Sequence, residues 1–219
     1  GSQPCAIAIL ASRNAAYIVN RGSNSLTRLD LATNQVAGPA IAVGTSPWNV
    51  AWPGDQSRLY VLNSGSNNIS VVNTATNLQT ALIPVGTRPS AMAVNAAGTT
   101  AFVSNEGSDT VSVIDLESNA VSRTINVGNQ PGHLALDPHG DYLYVANTAP
   151  GGTVTVINTA TGAVAGNITG VAGARSPVQV ALLSPPVLRQ ISPNPAPKGG
   201  TLWVTGDGYQ QSTRVRVTI

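Results

Sequence analysis

The chain has 219 residues, and only 9% of them are charged, against about 25% in a typical soluble protein. Its 11 Lys and Arg residues and 9 Asp and Glu residues leave a net charge of +2, and Lys198 is the single lysine, so no cluster of cations marks a nucleic-acid surface. The lone Cys5 excludes an internal disulfide, and no apolar run reaches the roughly 20 residues of a membrane helix.

A short phrase, Gly-x-x-Pro, recurs along the chain at nearly constant spacing. It stands at residues 1–4, 44–47, 86–89 and 128–131, so that successive copies are 43, 42 and 42 residues apart. A looser copy, Gly-Ala-Arg-Ser-Pro, occupies residues 173–177. Self-similarity at a fixed period indicates a repeat architecture, in which each copy forms one supersecondary unit.

The local pattern of each repeat predicts four short β-strands in chain order. The first follows the proline, and the second and third are rich in Val, Ile, Tyr and Thr and bounded by Asn, Asp, Gly and Ser. The second strand ends in an asparagine in every copy: Asn20, Asn63, Asn105 and Asn147. This recurrence indicates a shared structural duty, expected to be a side-chain bond to the backbone of a neighbouring turn. The fourth strand contains Pro39 or Pro84 in two copies, which predicts that it is the outer edge, because an interior strand would lose a hydrogen bond there.

A four-stranded repeat of about 42 residues is typical of a β-propeller blade, and the chain is therefore predicted to be all-β. One face of the first strand carries larger apolar residues, and the other face carries an alanine in each copy: Ala8, Ala51, Ala93, Ala135 and Ala181. Small side chains suit the crowded centre, where neighbouring blades converge. The sequence is therefore expected to repeat because each copy forms one blade.

The second and third strands carry a family resemblance. The phrases YIVN, YVLN, FVSN and YVAN, preceded by Gly-x-x-Pro and followed by segments such as VSVID, resemble the YVTN β-propeller repeats of bacterial and archaeal cell-surface and secreted proteins. The resemblance covers about residues 1–183 and implies a parent propeller that generally has seven blades. It also implies a scaffold or binding platform, although related propellers include lactonases and lyases.

The repeat boundaries predict the domain organisation. The blades are expected at about 1–43, 44–85, 86–127 and 128–172, with a further inner strand at 177–183. A Pro-rich linker and first strand region follow at 184–200. Residues 201–219, with the end of that linker, resemble the opening of an IPT/TIG immunoglobulin-like domain, of which only a part is present. The chain is thus expected to be a segment of a larger surface protein.

Motifs for catalysis are missing from the sequence. It has no Gly-x-Ser-x-Gly elbow, phosphate loop, His-Glu-x-x-His or EF-hand loop. With two His residues and one Cys, few members of a catalytic or metal-binding constellation are present, so no catalytic residue, metal or cofactor is predicted.

Two sets of residues are candidates for binding. Asn49, His133 and Gln179 occupy one column of the inner strands, which predicts a ligand site in the central channel, with Asp137 nearby. The simpler interpretation is that His133 is a polar residue tolerated at a solvated centre. His139 in Asp-Pro-His-Gly is a turn residue.

Two tryptophans of the second repeat have no counterpart in the other three. Trp48 precedes the apolar column and is predicted to be exposed for a partner, whereas Trp52 shares the column of Ile9 and is predicted to be core. Function usually breaks repeat symmetry, and the other asymmetric positions are Arg21, Arg28, Glu106, Asp109 and the APGG segment at 149–152.

Two functions remain open at this stage. The first is a non-catalytic extracellular or cell-surface propeller that acts as a scaffold or recognition module in a multidomain assembly. Its expected partners are other subunits or surface or filament components, with self-association possible through open blade flanks. Neither nucleic acid nor direct membrane insertion is expected. The alternative is a propeller enzyme of the lactonase or lyase type, with its site in the channel near His133.

Overall fold

The computed structural model describes residues 1–169 and two further strands, 187–192 and 203–207. It divides into two units, Gly1–Val180 and Ala181–Ile219. In the first unit, each predicted repeat forms one antiparallel sheet in which neighbours in sequence are neighbours in the sheet, so the all-β propeller prediction is confirmed. The only helices in the part that the structure describes are single 3-10 turns at Ala11–Arg13 and Arg21–Ser23, and none is long and apolar enough to cross a membrane.

The first two blades differ in their fourth strand. The first contains β1 (Pro4–Leu10), β2 (Ala15–Asn20), β3 (Ser25–Asp30) and two short pieces, β4 (Gln35–Val36) and β5 (Ile41–Ala42), which both pair with β3. The second contains β6 (Pro47–Ala51), β7 (Arg58–Asn63), β8 (Asn68–Asn73) and a continuous β9 (Leu78–Pro84). Pro39 falls in the break and Pro84 ends its strand, as expected of edge positions.

The next two blades have four continuous strands each. The third contains β10 (Pro89–Val94), β11 (Thr100–Asn105), β12 (Thr110–Asp115) and β13 (Ala120–Asn126). The fourth contains β14 (Pro131–Leu136), β15 (Tyr142–Asn147), β16 (Thr153–Asn158) and β17 (Val164–Ile168). In the second unit, β18 (Val187–Ser192) and β19 (Trp203–Asp207) form an antiparallel pair. The expected inner strand 177–183 and most of the IPT/TIG-like segment lie outside the described residues.

The hydrophobic core lies between blades and not within them. Three apolar clusters separate the four sheets, and each combines the alanine-bearing face of one blade with the larger residues of the next. Ala8, for example, is fully buried and belongs to the cluster that contains Val50 of the second blade. The inner strands β1, β6, β10 and β14 contact one another in succession. Ala8 therefore lies where the first two sheets meet, whereas the equivalent Ala51, Ala93 and Ala135 are partly buried.

A recurring bond also joins the blades near the outer turns. Tyr17 Oη donates to Asn77 Oδ1 of the second blade at 2.7 Å, and Tyr60 makes the equivalent contact with Asn119 of the third at 3.5 Å. At the third interface, the corresponding pair is Phe102 and Gly162, which can form no such bond. Arg123 donates to the carbonyl oxygen of Thr161 there instead. At this interface, therefore, both the tyrosine and the asparagine of the pair are replaced.

The two outer faces of the four-blade arc have a different character. Ile7 and Ile9, on the first-blade face that points away from the second, are 55% and 53% exposed. Ile168 of the fourth blade is 49% exposed. No described residue covers these side chains.

Candidate functional site

The Gly-x-x-Pro phrase and the recurrent asparagine prove to be one structural unit. Asn63 is fully buried, and its Nδ2 donates to Asn68 Oδ1 and to Ser70 Oγ, both at 2.9 Å. A Cβ added at Gly44 would lie only 2.6 Å from Asn63 Cγ, so only glycine fits over the amide. The other three blades repeat the arrangement. The bonds reach mainly side chains of the adjacent strand, and the expected bond to a turn backbone is therefore wrong for these positions.

The residue before each proline carries backbone strain. Ser46, Arg88 and Gln130 have φ of 48°, 52° and 54°, a region that residues with a side chain seldom adopt. The conformation is held by the preceding blade, whose turn residue accepts a hydrogen bond from this amide. Asn67 Oδ1 accepts from Arg88 N at 2.9 Å, and Asp109 Oδ1 accepts from Gln130 N at 2.7 Å. These bonds fix the relative positions of successive blades at one end of the arc.

We call this end the Gly-x-x-Pro end, defined by residues 1–4, 21–24, 44–48, 64–67, 86–89, 106–109, 128–131 and 148–152. Each Gly-x-x-Pro segment there is paired by backbone hydrogen bonds with the turn that follows the second strand of its own blade. Rigid turns of this kind hold their side chains in fixed positions, which favours recognition by a partner.

Trp48 is the largest departure from repeat symmetry at this end. The equivalent Cys5, although exposed, and Ser90 each bond to the next blade, where Sγ and Oγ donate to the carbonyl oxygens of Pro47 and Pro131 at 3.4 and 3.0 Å. In the blade of Trp48, Ser64 Oγ makes that bond to the next blade, to the Pro89 carbonyl at 2.7 Å. The Trp48 side chain is therefore not needed for the bond to the third blade.

The indole of Trp48 lies at the surface beneath a cation. Trp48 is 45% exposed, and the guanidinium carbon of Arg21 lies 5.1 Å from its ring centroid, within cation–π range. Trp52, in contrast, is half-buried and packs against the core between the first two blades. The exposure of Trp48 agrees with the prediction, whereas Trp52, predicted to be core, is only partly buried against it.

A second asymmetric pair lies one blade further along. Arg88 Nη2 and Glu106 Oε1 are 3.0 Å apart, and their side chains are 62% and 31% exposed. Such an exposed ion pair contributes little stability, roughly 0–1 kcal/mol. Its contribution is therefore to the charge pattern of the Gly-x-x-Pro end, where the second and third blades present an aromatic ring and both signs of charge.

The predicted channel residues are placed differently. Ala6 and Ala91, in the same column, pack into the cores between blades, so this column lies on the face that meets the next blade. Asn49 is half-buried, and its Oδ1 accepts from the amide of Val50 at 2.8 Å. His133 is exposed in the first half of β14, on the open face of the fourth blade. Gln179 lies outside the described residues, so a shared site for the three stays a prediction.

No group of three His, Cys, Asp or Glu residues lies close enough to hold a metal within residues 1–169. Asp137, four residues along the strand from His133 and hence roughly 13 Å away, accepts from the Tyr142 amide at a hairpin. Hydrogen bonds from Ser57 hold the pKa of Asp55 below its usual range, and burial raises the pKa of the Cys5 thiol. These shifts mark turns and interfaces.

Comparisons with known proteins agree with the fold. Residues 90–189, just under half of the chain, match the family model described as a YNCE-like beta-propeller. The chain is a β-propeller repeat protein. Hydrazine synthase of Kuenenia stuttgartiensis is similar to it with a TM-score of 0.72 and 28% identity, over 77% of this chain and 49% of that one.

More distant structures share the fold alone. A functionally unknown protein from Desulfotomaculum acetoxidans superposes with a TM-score of 0.68 and 20% identity, over 84% of this chain and 62% of that one. The dihydro-heme d1 dehydrogenase NirN superposes with a TM-score of 0.63 and 13% identity, over 74% and 37% of the two chains. This chain thus spans less than two thirds of each. No curated protein matches the sequence.

Proposed function

We propose that this propeller is a non-catalytic recognition module that binds a protein partner through its Gly-x-x-Pro end, with Trp48 as the anchoring residue. The observation that carries the proposal is the exposure of this one indole at a position where the equivalent Cys5 and Ser90 bond to the next blade. Tryptophan and arginine are both enriched among the residues that dominate protein interfaces.

The surroundings of Trp48 support a protein partner. The indole is held by the fixed backbone of the second blade and by Arg21, so little side-chain entropy is lost on binding. Arg88 and Glu106 on the next blade supply polar groups for the rim of an interface. The neutral surface, rich in Thr, Asn and Ser, supports an extracellular or cell-surface setting, in which the propeller joins further domains of an assembly.

Affinity capture tests this proposal. Immobilised chain would be exposed to a cell-envelope and secreted fraction of the source organism, alongside a Trp48→Ala variant and a Val164→Ala control. Val164 is 44% exposed in the outer strand β17, outside the Gly-x-x-Pro end. We expect a protein captured by the wild type and the control to be lost from the Trp48 variant, and calorimetry with that purified protein to show at least a tenfold weaker affinity. Equal capture by all three would contradict the proposal.

The enzymatic alternative makes a different prediction. A lactonase or lyase with its site near His133 would lose turnover in a His133→Ala variant while binding at Trp48 stayed unchanged. His133 has no protein partner among the described side chains that would orient it as a base, and catalytic histidines are normally oriented by a second group. The recognition module is therefore the better supported of the two.

A further inference from the structure

A groove of about 420 Å³ lies on the flank of the arc between the outer strands of the first and second blades. Its walls include Arg28, Pro39, Ala40 and Ile41 of the first blade and Asn77 and Leu78 of the second. The volume falls in the range of roughly 300–1,000 Å³ that holds small organic ligands. This groove is separate from the Gly-x-x-Pro end described above.

The groove has its origin in one extra residue. The first repeat is 43 residues long, whereas the next two have 42. The fourth strand of the first blade is correspondingly interrupted, because β4 ends at Val36 and β5 begins only at Ile41, while β9 and β13 run without a break. Gly38 in the gap has φ of 83°, and a Cβ there would meet no atom within 4 Å. The edge of the first blade therefore stands open at this point.

Arg28 breaks the repeat at the same place. Its backbone is paired with Tyr17 in β2, as Val71 is with Tyr60 and Val113 with Phe102. The arginine thus occupies a position that is valine in the other blades and that faces the next blade. Val71 is fully buried, and Arg28 is half-buried.

The guanidinium has no counter-charge. Among residues 1–169 it has neither a salt bridge nor a side-chain hydrogen bond, and no carboxylate lines the groove. The carboxylate two positions on, Asp30, is engaged by the amides of Ala32 and Thr33 at 2.8 and 3.2 Å. A half-buried cation among apolar walls is incompletely solvated, so an anion that enters the groove gains more than it would from an exposed arginine.

We propose that this groove binds a small organic carboxylate whose compact apolar body lies against Pro39, Ala40 and Leu78. The planar guanidinium of Arg28 receives the carboxylate through two parallel N–H···O bonds. The side-chain amide of Asn77, on the opposite wall, is a polar group available for a second contact. A ligand of this class satisfies the charge and covers the apolar gap left by the interrupted strand.

Ligand-observed fluorine NMR with 4-fluorophenylacetate tests this site, and the neutral 4-fluorophenylacetamide serves as the matched probe. We expect saturable binding of the acid and at least about tenfold weaker binding of the amide. Arg28→Val restores the residue of the other blades and should fold normally, yet it should also weaken the acid at least about tenfold. Arg13→Val, which removes the same charge elsewhere in the first blade, should leave binding unchanged.

A third variant tests whether binding requires the open groove as well as the charge of Arg28. Ala40→Leu would fill the gap while Arg28 stays in place, and it should abolish binding of the acid. The proposal is overturned if the wild type shows no saturable binding, if Arg28→Val binds as well as the wild type, or if acid and amide bind equally. The first two results would mean that the Arg28 stem merely covers apolar surface with its head in water.

Discussion

Replacing Gly86 by Ala should destabilise the propeller, because the glycine lies directly over the buried amide of Asn105. The new Cβ would be 2.6 Å from Asn105 Cγ and 2.5 Å from Ser108 Oγ. Asn105 cannot move aside cheaply, since its Nδ2 bonds Thr110 at 3.1 Å and Ser112 at 2.9 Å and its side chain is fully buried.

The expected magnitude follows from two opposing effects. Overpacking of this kind typically costs about 1–3 kcal/mol, whereas replacing Gly by Ala reduces the entropy of the unfolded chain by about 0.4–1 kcal/mol. The net loss in the free energy of unfolding should therefore be about 1–2 kcal/mol. Gly54→Ala is the matched control, because a Cβ at Gly54 would meet nothing within 4 Å. That variant should be neutral or slightly stabilised.

Urea unfolding followed by circular dichroism measures both variants, and a double-mutant cycle identifies the cause. Asn105→Ala alone removes two hydrogen bonds and should cost about 2–3 kcal/mol. In that background, Gly86→Ala should cost less than in the wild type, because Asn105 Cγ is gone while the Cβ of residue 105 and Ser108 Oγ, 2.7 and 2.5 Å from the new Cβ, remain. If Gly86→Ala were as stable as Gly54→Ala, or if its cost were unchanged without the Asn105 side chain, the proposed packing would be refuted.

Three further outcomes are expected. Tyr17→Phe should lower the free energy of unfolding in urea by about 1 kcal/mol, because the bond to Asn77 is lost. In an Asn77→Gly background the same substitution should cost nothing, since the third interface already pairs Phe with Gly. An undiminished cost in that background would point to another contact. Burial raises the pKa of Tyr60, so its neutral form stabilises the fold fully below the ordinary pKa of about 10, and this contribution is lost as the pH rises through the folded pKa. Between pH 8 and pH 12, the free energy of unfolding should therefore fall less for Tyr60→Phe than for the wild type. An equal loss in the two proteins would contradict this prediction. Light scattering should show that the wild type self-associates and that the double variant Ile7→Ser/Ile9→Ser does so less, because these side chains are more than half exposed on an open blade face. A monomeric wild type would contradict this prediction.

Much of the fold could be predicted because the repeats constrain one another. A strand assignment that fits one copy must fit four, and the alanine of the first strand predicted that this strand lies at the crowded centre, where the blades converge. The interruption at Pro39 was predictable only in part. The extra residue of the first repeat is visible in the 43-residue spacing, but the sequence does not show whether it extends a turn or breaks a strand.

The candidate sites were harder to predict, since they depend on where a side chain points. The first three blades share a bulge at this position, yet Cys5 and Ser90 bond to the next blade while Trp48 is exposed, so repeat alignment shows only that the indole is unique. The column of Asn49 and His133 was read as lining a channel, yet Ala6 and Ala91 place it against the next blade. Arg28 was recognised as asymmetric, but its missing counter-charge becomes visible only when β4, β5 and the second blade enclose it.

Trp48, Phe102 and Arg28 each differ from the equivalent residues of other blades, and one physical argument accounts for all three. In a stack of similar sheets, every interface position is filled by a residue that suits both neighbours, so a substitution in one blade survives only where its contact is supplied from elsewhere. Ser64 supplies the bond that Trp48 does not make, and Arg123 replaces the bond that Phe102 cannot make. For Arg28, none of residues 1–169 supplies the missing partner. The reasoning that explains Trp48 and Phe102 predicts that the partner of the Arg28 cation comes from outside the first four blades, and an anionic ligand is such a partner.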